Sequence, residues 1–172
     1  MQETYMDSEQ LVVSKGIPFE ASAVVTEDGH ILQMHRLPRH KAAGYPVLIL
    51  HGLLQASDYF LLDSRNQSLP FILWDAGFDV WLGNNRGNKY SRRHLELNPN
   101  DPRFWKFSMD EMGRFDIPAM VEHVLAVTRK KKINFIGHSQ ANNVVMSSVI
   151  VKGSQISDKF NKVSLYDKKN ID

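Results

Sequence analysis

The sequence predicts an α/β domain on a mainly parallel sheet, and three observations carry that expectation. Val47-Leu48-Ile49-Leu50 is a continuous apolar run, the pattern of a strand buried on both faces. From there on, the segments alternate as strand, helix, strand, helix, strand, helix, which implies right-handed crossovers between parallel strands. Ahead of them, Val24-Val25-Thr26 and Ile31 to Leu37 flank Glu27-Asp28-Gly29-His30. The Asp-Gly pair favours a tight turn between two antiparallel strands, so a hairpin should form the N-terminal edge of the sheet.

The remaining elements follow in order. Ser68 is placed to cap a short helix over Leu69 to Ala76, which Gly77 would stop. Phe78 to Leu82 reads as the next strand. Gly83 to Asp101, rich in Asn, Gly, Arg and Pro, reads as a long surface loop. Ser108-Met109-Asp110-Glu111 has the capping-box pattern, and Asp116-Ile117-Pro118 starts a further helix with Pro in its first turn. Ile117, Met120, Val121, Val124 and Leu125 have the spacing of one buried helical face. A strand from Ile133 to Ile136 and a helix from Gln140 to Val151 complete the alternation.

Composition narrows the function classes. The length of 172 residues suits one domain, and the net charge of +2 provides no strong field for nucleic acid or an anionic membrane. The one basic run, Arg129 to Lys132, reads as cations at a helix C-terminus. With no cysteine, thiol chemistry and thiolate metal sites are excluded. The histidines are scattered without ligand spacing, and Gly83 to Gly87 lacks a nucleotide-binding glycine pattern, so no metal and no cofactor are expected. The opening MQETYMDSEQ has neither a basic nor an apolar region of a signal peptide. Val144 to Val151 is too short for a transmembrane segment.

The chemistry centres on Gly137-His138-Ser139-Gln140-Ala141, a G-x-S-x-small pattern between a strand and a helix. Such a turn is the nucleophile elbow of α/β-hydrolases: it strains the serine backbone and lifts the hydroxyl clear of the sheet. The flanking Gly137 and Ala141 must be small because strand and helix approach closely there. A second element agrees with it. Val47 to Leu50 runs into His51-Gly52-Leu53-Leu54, a loop of the type that supplies one backbone N–H to an oxyanion hole. The candidate donors are the amides of Leu53 and Gln140. His51 reads as a residue that fixes this loop, with Gly52 beside it, rather than as a catalytic base. His138 neighbours Ser139 along the strand and should point to the other face.

Five stretches together resemble the acid lipases, the group containing lysosomal acid lipase, gastric lipase and their insect relatives. They are Val24 to Pro38, HGLLQASDYF (His51 to Phe60), Ser68 to His94 with GFDVWLGNNRGN, Phe104 to Leu125 with FDIPA, and INFIGHSQ (Ile133 to Gln140). The likeness runs from about residue 8 to 143, and residues 144–172 diverge. It implies an α/β-hydrolase fold and hydrolysis of neutral lipid esters, triglycerides or sterol esters, with contact at a lipid interface. It maps the nucleophile to Ser139 and the oxyanion donors to Leu53 and Gln140. It also makes Asn66, in Asn66-Gln67-Ser68, a glycan site and implies a lysosomal or secreted protein.

The sequence departs from that family in two places. Ala141-Asn142-Asn143 stand where members have Gly-Thr-Thr. More consequentially, the triad order is Ser, then Asp or Glu, then His. Beyond Ser139 the chain holds Asp158, Asp167 and Asp172 but no histidine. Without a base the hydroxyl is a poor nucleophile. The expectation is therefore a single, partial domain of an ester hydrolase, cut short soon after the elbow helix and inactive alone. The alternatives are a non-catalytic lipid-binding or interaction module and an incomplete gene product.

Overall fold

In the computed structural model, which describes residues 5–42 and 44–166, the first element is helix α1 (Ser8–Ser14). Asp7 caps it by accepting from the Gln10 amide, while the Gln10 side chain accepts from the Asp7 amide. Strands β1 (Glu20–Val25) and β2 (His30–Leu37) then pair antiparallel, and Gly29 takes φ +93° in the turn between them. The glycine is required there because L side chains rarely adopt that angle.

Strands β3 (Val47–Leu50) and β4 (Val80–Gly83) are parallel neighbours, and the two-residue β5 (Arg93–His94) pairs with β2. Strands β6 (Ile133–His138) and β7 (Phe160–Tyr166) extend the parallel part, giving the order β1-β2-β4-β3-β6-β7. β7 continues the parallel sheet beyond β6.

β3 shows why the sheet is buried on both faces. Its four side chains are 0–2% exposed. Leu48 and Leu50 pack with Trp81, Phe135 and the helices α4 (Ile117–Thr128) and α5 (Gln140–Lys152). Val47 and Ile49, on the opposite face, pack with Leu37, Val80, Leu82 and α1, and with Phe71 of α2 (Leu69–Asp75). Alternation with period two sends successive residues to the two layers, and each such side chain contributes about 1.5–3 kcal/mol by leaving water.

Three expectations need correction. Ser68 does not cap α2 with its side chain; its hydroxyl donates to the Phe60 carbonyl at 2.6 Å. The surface loop expected over Gly83 to Asp101 holds for its second half, where Arg92, Arg93, Leu95, Glu96, Asn98 and Asn100 are exposed, but not for its first, where Asn84, Asn85, Arg86 and Ser91 are at most 3% exposed. There the Asn84 and Arg86 side chains are turned inward to hydrogen bonds, which composition alone cannot reveal. The two helices expected around residues 108–125 are joined: α3 (Met109–Glu111), boxed by Ser108 and Glu111, runs through a π turn, Met112–Asp116, into α4. At Gly113 in that turn an added Cβ would lie 2.8 Å from Ser147 Oγ and 2.9 Å from the Val144 carbonyl. The π turn therefore brings bare backbone against α5.

Candidate active site

β6 ends at His138 and α5 begins at Gln140, leaving Ser139 alone in the turn at φ +54° and ψ −115°. A non-glycine residue held there costs about 1–3 kcal/mol, and such strain persists only where its surroundings enforce it. Two contacts do so. The Ser139 amide donates to the Tyr166 carbonyl of β7 at 3.0 Å, and the Ser139 carbonyl accepts from the Asn142 amide at 3.0 Å. Gly137 leaves no room for a side chain: a Cβ would lie 2.7 Å from Asn142 Oδ1 and 3.3 Å from the Ala141 carbonyl carbon. Ala141 is fully buried against the sheet, while Ser139 itself is exposed.

The loop after β3 meets this turn edge to edge. A Cβ at Gly52 would lie 3.1 Å from Ser139 Cβ and 3.2 Å from His138 Nδ1. Gln55 ties the two together, its Oε1 accepting from the Gly52 amide at 2.9 Å and from His138 Nδ1 at 3.0 Å. The His138 ring also stacks on Tyr59 at 5.3 Å and lies 5.5 Å from Tyr166, so it is packed among aromatic rings. Neither the Leu53 nor the Gln140 amide has an acceptor among the described residues. For Gln140 this is the ordinary state of a first helical N–H, available to an outside oxygen. Leu53, Gly52 and Gln140 line one groove of about 640 Å³ with Tyr59, Trp105 and Phe107.

His51 is 3% exposed and meets three partners. Its Nδ1 bonds the Gly52 carbonyl at 2.8 Å; its Nε2 faces the Asn85 amide at 3.2 Å and Asn88 Nδ2 at 3.0 Å. A carbonyl only accepts and an amide only donates, so the ring is neutral with its proton on Nδ1. Burial pushes its pKa down, outweighing the Gly52 carbonyl and Asp58. These bonds occupy both ring nitrogens.

The network continues inward. Asn88 Nδ2 also donates to Asn84 Oδ1, Asn84 Nδ2 to Ser57 Oγ, and Ser57 Oγ pairs with His35 Nδ1 at 2.8 Å and with Ser8 Oγ of α1 at 3.1 Å. Beside it Arg86, its side chain 1% exposed, holds Asp28 through both oxygens and Asp116 at 2.7 Å. Full burial pushes the Asp116 carboxyl up to about 6 against the lowering by Arg86. At Asp28, burial acts upward but the Arg86 and Thr26 hydrogen bonds outweigh it and hold the pKa below its usual value.

The sequence assigned none of Gln55, Asn84, Asn88, Arg86 or its two carboxylates to the site, reading Asp28 only as a turn residue and Asp116 only as a helix start. The partners of Arg86 lie 58 and 30 positions away, with no periodicity linking them. The inward-facing GNNRGN run was the available signal.

Of the acidic residues after Ser139, Asp158 is exposed just before β7, where that strand sits beside Ile133 at the far end of β6 from Ser139. Asp167 and Asp172 lie outside the described residues. Asn66 is exposed and accepts from the Ser64 hydroxyl at 2.6 Å. Among the described residues no group of three metal-binding side chains gathers, and no helix is long and apolar enough to cross a membrane.

A family model described as a partial alpha/beta-hydrolase lipase region matches residues 8–64, and one of the alpha/beta hydrolase fold matches residues 45–145. Lipase member M of Mus musculus is 44% identical over 148 residues, 83% of this chain and 35% of that protein. Lipase 1 of Drosophila melanogaster is 45% identical over 139 residues, 81% and 31% of the two chains. The gastric triacylglycerol lipase of Homo sapiens is 42% identical over 148 residues, 83% and 37%. The chain thus spans about a third of the length of these relatives. An esterase from Pyrococcus furiosus superposes with a TM-score of 0.57 at 18% identity, covering 80% of this chain and 49% of that one. An epoxide hydrolase from Vigna radiata gives 0.55 at 17%, covering 86% and 39%. At such identities these two likenesses speak for the fold alone.

Proposed function

Because the chain belongs to the α/β-hydrolase family, and within it to the acid lipases, we propose that its site serves the hydrolysis of carboxylic esters of neutral lipids, with Ser139 as nucleophile. The observation that carries this reading is the Ser139 backbone, strained at φ +54° and abutted by Gly52, beside a groove lined by Leu53 and Gln140, whose amides have no acceptor among the described residues. In the reaction Ser139 Oγ adds to the ester carbonyl carbon and the carbonyl oxygen takes the negative charge. Those two amides would donate to it, a role worth roughly 10²–10³ in rate per donor. Collapse expels the alcohol, which takes up the proton lost from Oγ, and leaves an acyl-serine. Water then adds to that ester in the same way, releasing the carboxylic acid and restoring the Ser139 hydroxyl. Leu53, Leu54 and Leu62, 49–98% exposed on the groove's lining, fit contact with a lipid interface.

The proton leaving Oγ needs a base, which in this triad order is a later histidine. Gln140 to Asp172 include none, so these 172 residues alone are expected to show no more than the slow turnover an oxyanion hole gives. The deciding experiment takes the native protein, compares its intact mass with 19.7 kDa, and measures p-nitrophenyl butyrate turnover beside Ser139→Ala. Turnover abolished by the substitution supports the reading, and turnover indifferent to it sinks the nucleophile assignment. A native protein that binds lipid ester without hydrolysing it is a non-catalytic lipid-binding module instead. The same reading carries a lysosomal or secreted location, checked by glycan occupancy at Asn66.

A further inference from the structure

We infer that Asn88 is a positioning residue: by fixing the tautomer of His51 it aims the Leu53 amide, and so sets the oxyanion donor from a distance. This rests on the proposed role of Leu53. The geometry begins with Asn88 itself, whose Oδ1 accepts from the amides of Tyr90 and Ser91, both at 3.0 Å. Backbone amides only donate, so the other end of the carboxamide is the NH₂ group. Its two hydrogens go to Asn84 Oδ1 at 2.9 Å and to His51 Nε2 at 3.0 Å. Every donor and acceptor of Asn88 is engaged, and the side chain has one orientation.

Two donors, Asn88 and the Asn85 amide, therefore converge on His51 Nε2 and require it to be unprotonated. The one proton of the neutral ring is thereby placed on Nδ1, where it bonds the Gly52 carbonyl at 2.8 Å. That carbonyl and the Leu53 N–H belong to the same peptide unit. The unit is planar and trans, so its C=O and N–H point to opposite sides. Pinning the carbonyl on the His51 ring turns the Leu53 N–H away from the ring. With the proton on Nε2, two donors would clash with a third and the Gly52 carbonyl would face a lone pair. The peptide would then have reason to rotate, and the donor would lose its aim.

The test reads the tautomer directly. In the ¹⁵N-labelled 172-residue chain, long-range ¹H–¹⁵N correlation distinguishes a protonated from an unprotonated ring nitrogen. Asn88→Asp keeps the oxygen that serves Tyr90 and Ser91 but replaces the donor facing His51 with an acceptor. The wild-type chain is expected to show His51 protonated on Nδ1 alone. In Asn88→Asp, Nε2 should gain a proton and the Leu53 amide resonance should move. Should Asn88→Asp lose its amide dispersion, Asn88→Ser takes its place, since its hydroxyl can serve the turn but is too short to reach His51. There the Nε2–H form should appear in part. A wild-type His51 protonated on Nε2, or ring and Leu53 signals unchanged in the folded variants, overturns the inference. In the native protein Asn88→Asp should lower kcat about tenfold or more with KM held, as expected for a misaimed donor. Lack of ester turnover in the native protein would count against the hydrolase reading alone, since the tautomer is read without catalysis.

Discussion

Gly52 and Ser139 stand so close that a methyl group on the first would lie 3.1 Å from the Cβ of the second. The contact joins two turns, one after β3 and one after β6, each at the C-terminal end of its strand. Crevices at such ends are where ligands bind in open α/β sheets.

Gly52→Ala should therefore be costly beyond its size. The new methyl also meets Gln55 Oε1 at 3.0 Å and His138 Nδ1 at 3.2 Å. Gln55 can move, but only by releasing the Gly52 amide and His138; Ser139 cannot, because its turn is fixed by β7. A loss of about 1–3 kcal/mol is expected for such overpacking, read as a lower urea midpoint. An unchanged midpoint would mean that the loop drifts away from the elbow without penalty.

The strain at Ser139 predicts an inverted order of stability. Ser139→Gly should be more stable than Ser139→Ala by about 1 kcal/mol, because glycine relaxes at positive φ whereas alanine keeps the strain. Urea unfolding of the two variants compares them directly; equal stabilities would show that the turn is not strained.

Arg86 should be difficult to remove. Arg86→Met leaves Asp116 fully buried, and Asp28 part-buried, without their cation. The expected loss is about 3–5 kcal/mol, since breaking one partner of a buried pair exposes the full desolvation cost of the rest. A loss under 1 kcal/mol would mean that the carboxylates protonate freely or that water reaches them.

His35 should make the fold acid-sensitive. Burial holds its pKa at about 4 in the folded chain, ahead of the opposing Asp58 and Asp7, against 6.5 when unfolded. Unfolding thus takes up a proton between those values. The stability it contributes is complete above pH 6.5 and is lost as pH falls towards 4. His30, also lowered to about 4, acts in the same sense, while Asp116, raised to about 6, acts oppositely. The clean measurement is the difference in slope between wild type and His35→Gln across pH 4–6.5. The variant should show the flatter loss towards acid; parallel slopes would show that His35 titrates normally.

Much of the fold was legible because burial leaves a local pattern. The apolar run of β3, the helical spacing of Ile117, Met120, Val121 and Val124, and the small residues around Ser139 each report a constraint met within a few positions. Leu125, assigned to the same buried face, packs at its margin and is only half-buried. The misreading of the first half of Gly83 to Asp101 has the opposite cause. Asn and Arg look alike in sequence whether they face water or a buried partner, and the partners of Asn84, Arg86 and Asn88 come from β2, the β1–β2 turn, the loop after β3 and the start of α4.

The sequence by itself therefore determined the α/β alternation, the strained turn at Ser139 and the loop that begins at His51, since each follows from residue type and spacing. Only the tertiary structure decided that Gln55 joins the two turns, that Asn88 faces His51, and that Arg86 is buried between two carboxylates. Hydrogen bonds and ion pairs between distant segments depend on where the sheet brings them. That placement is set by the packing of the whole chain and leaves no periodicity in the sequence.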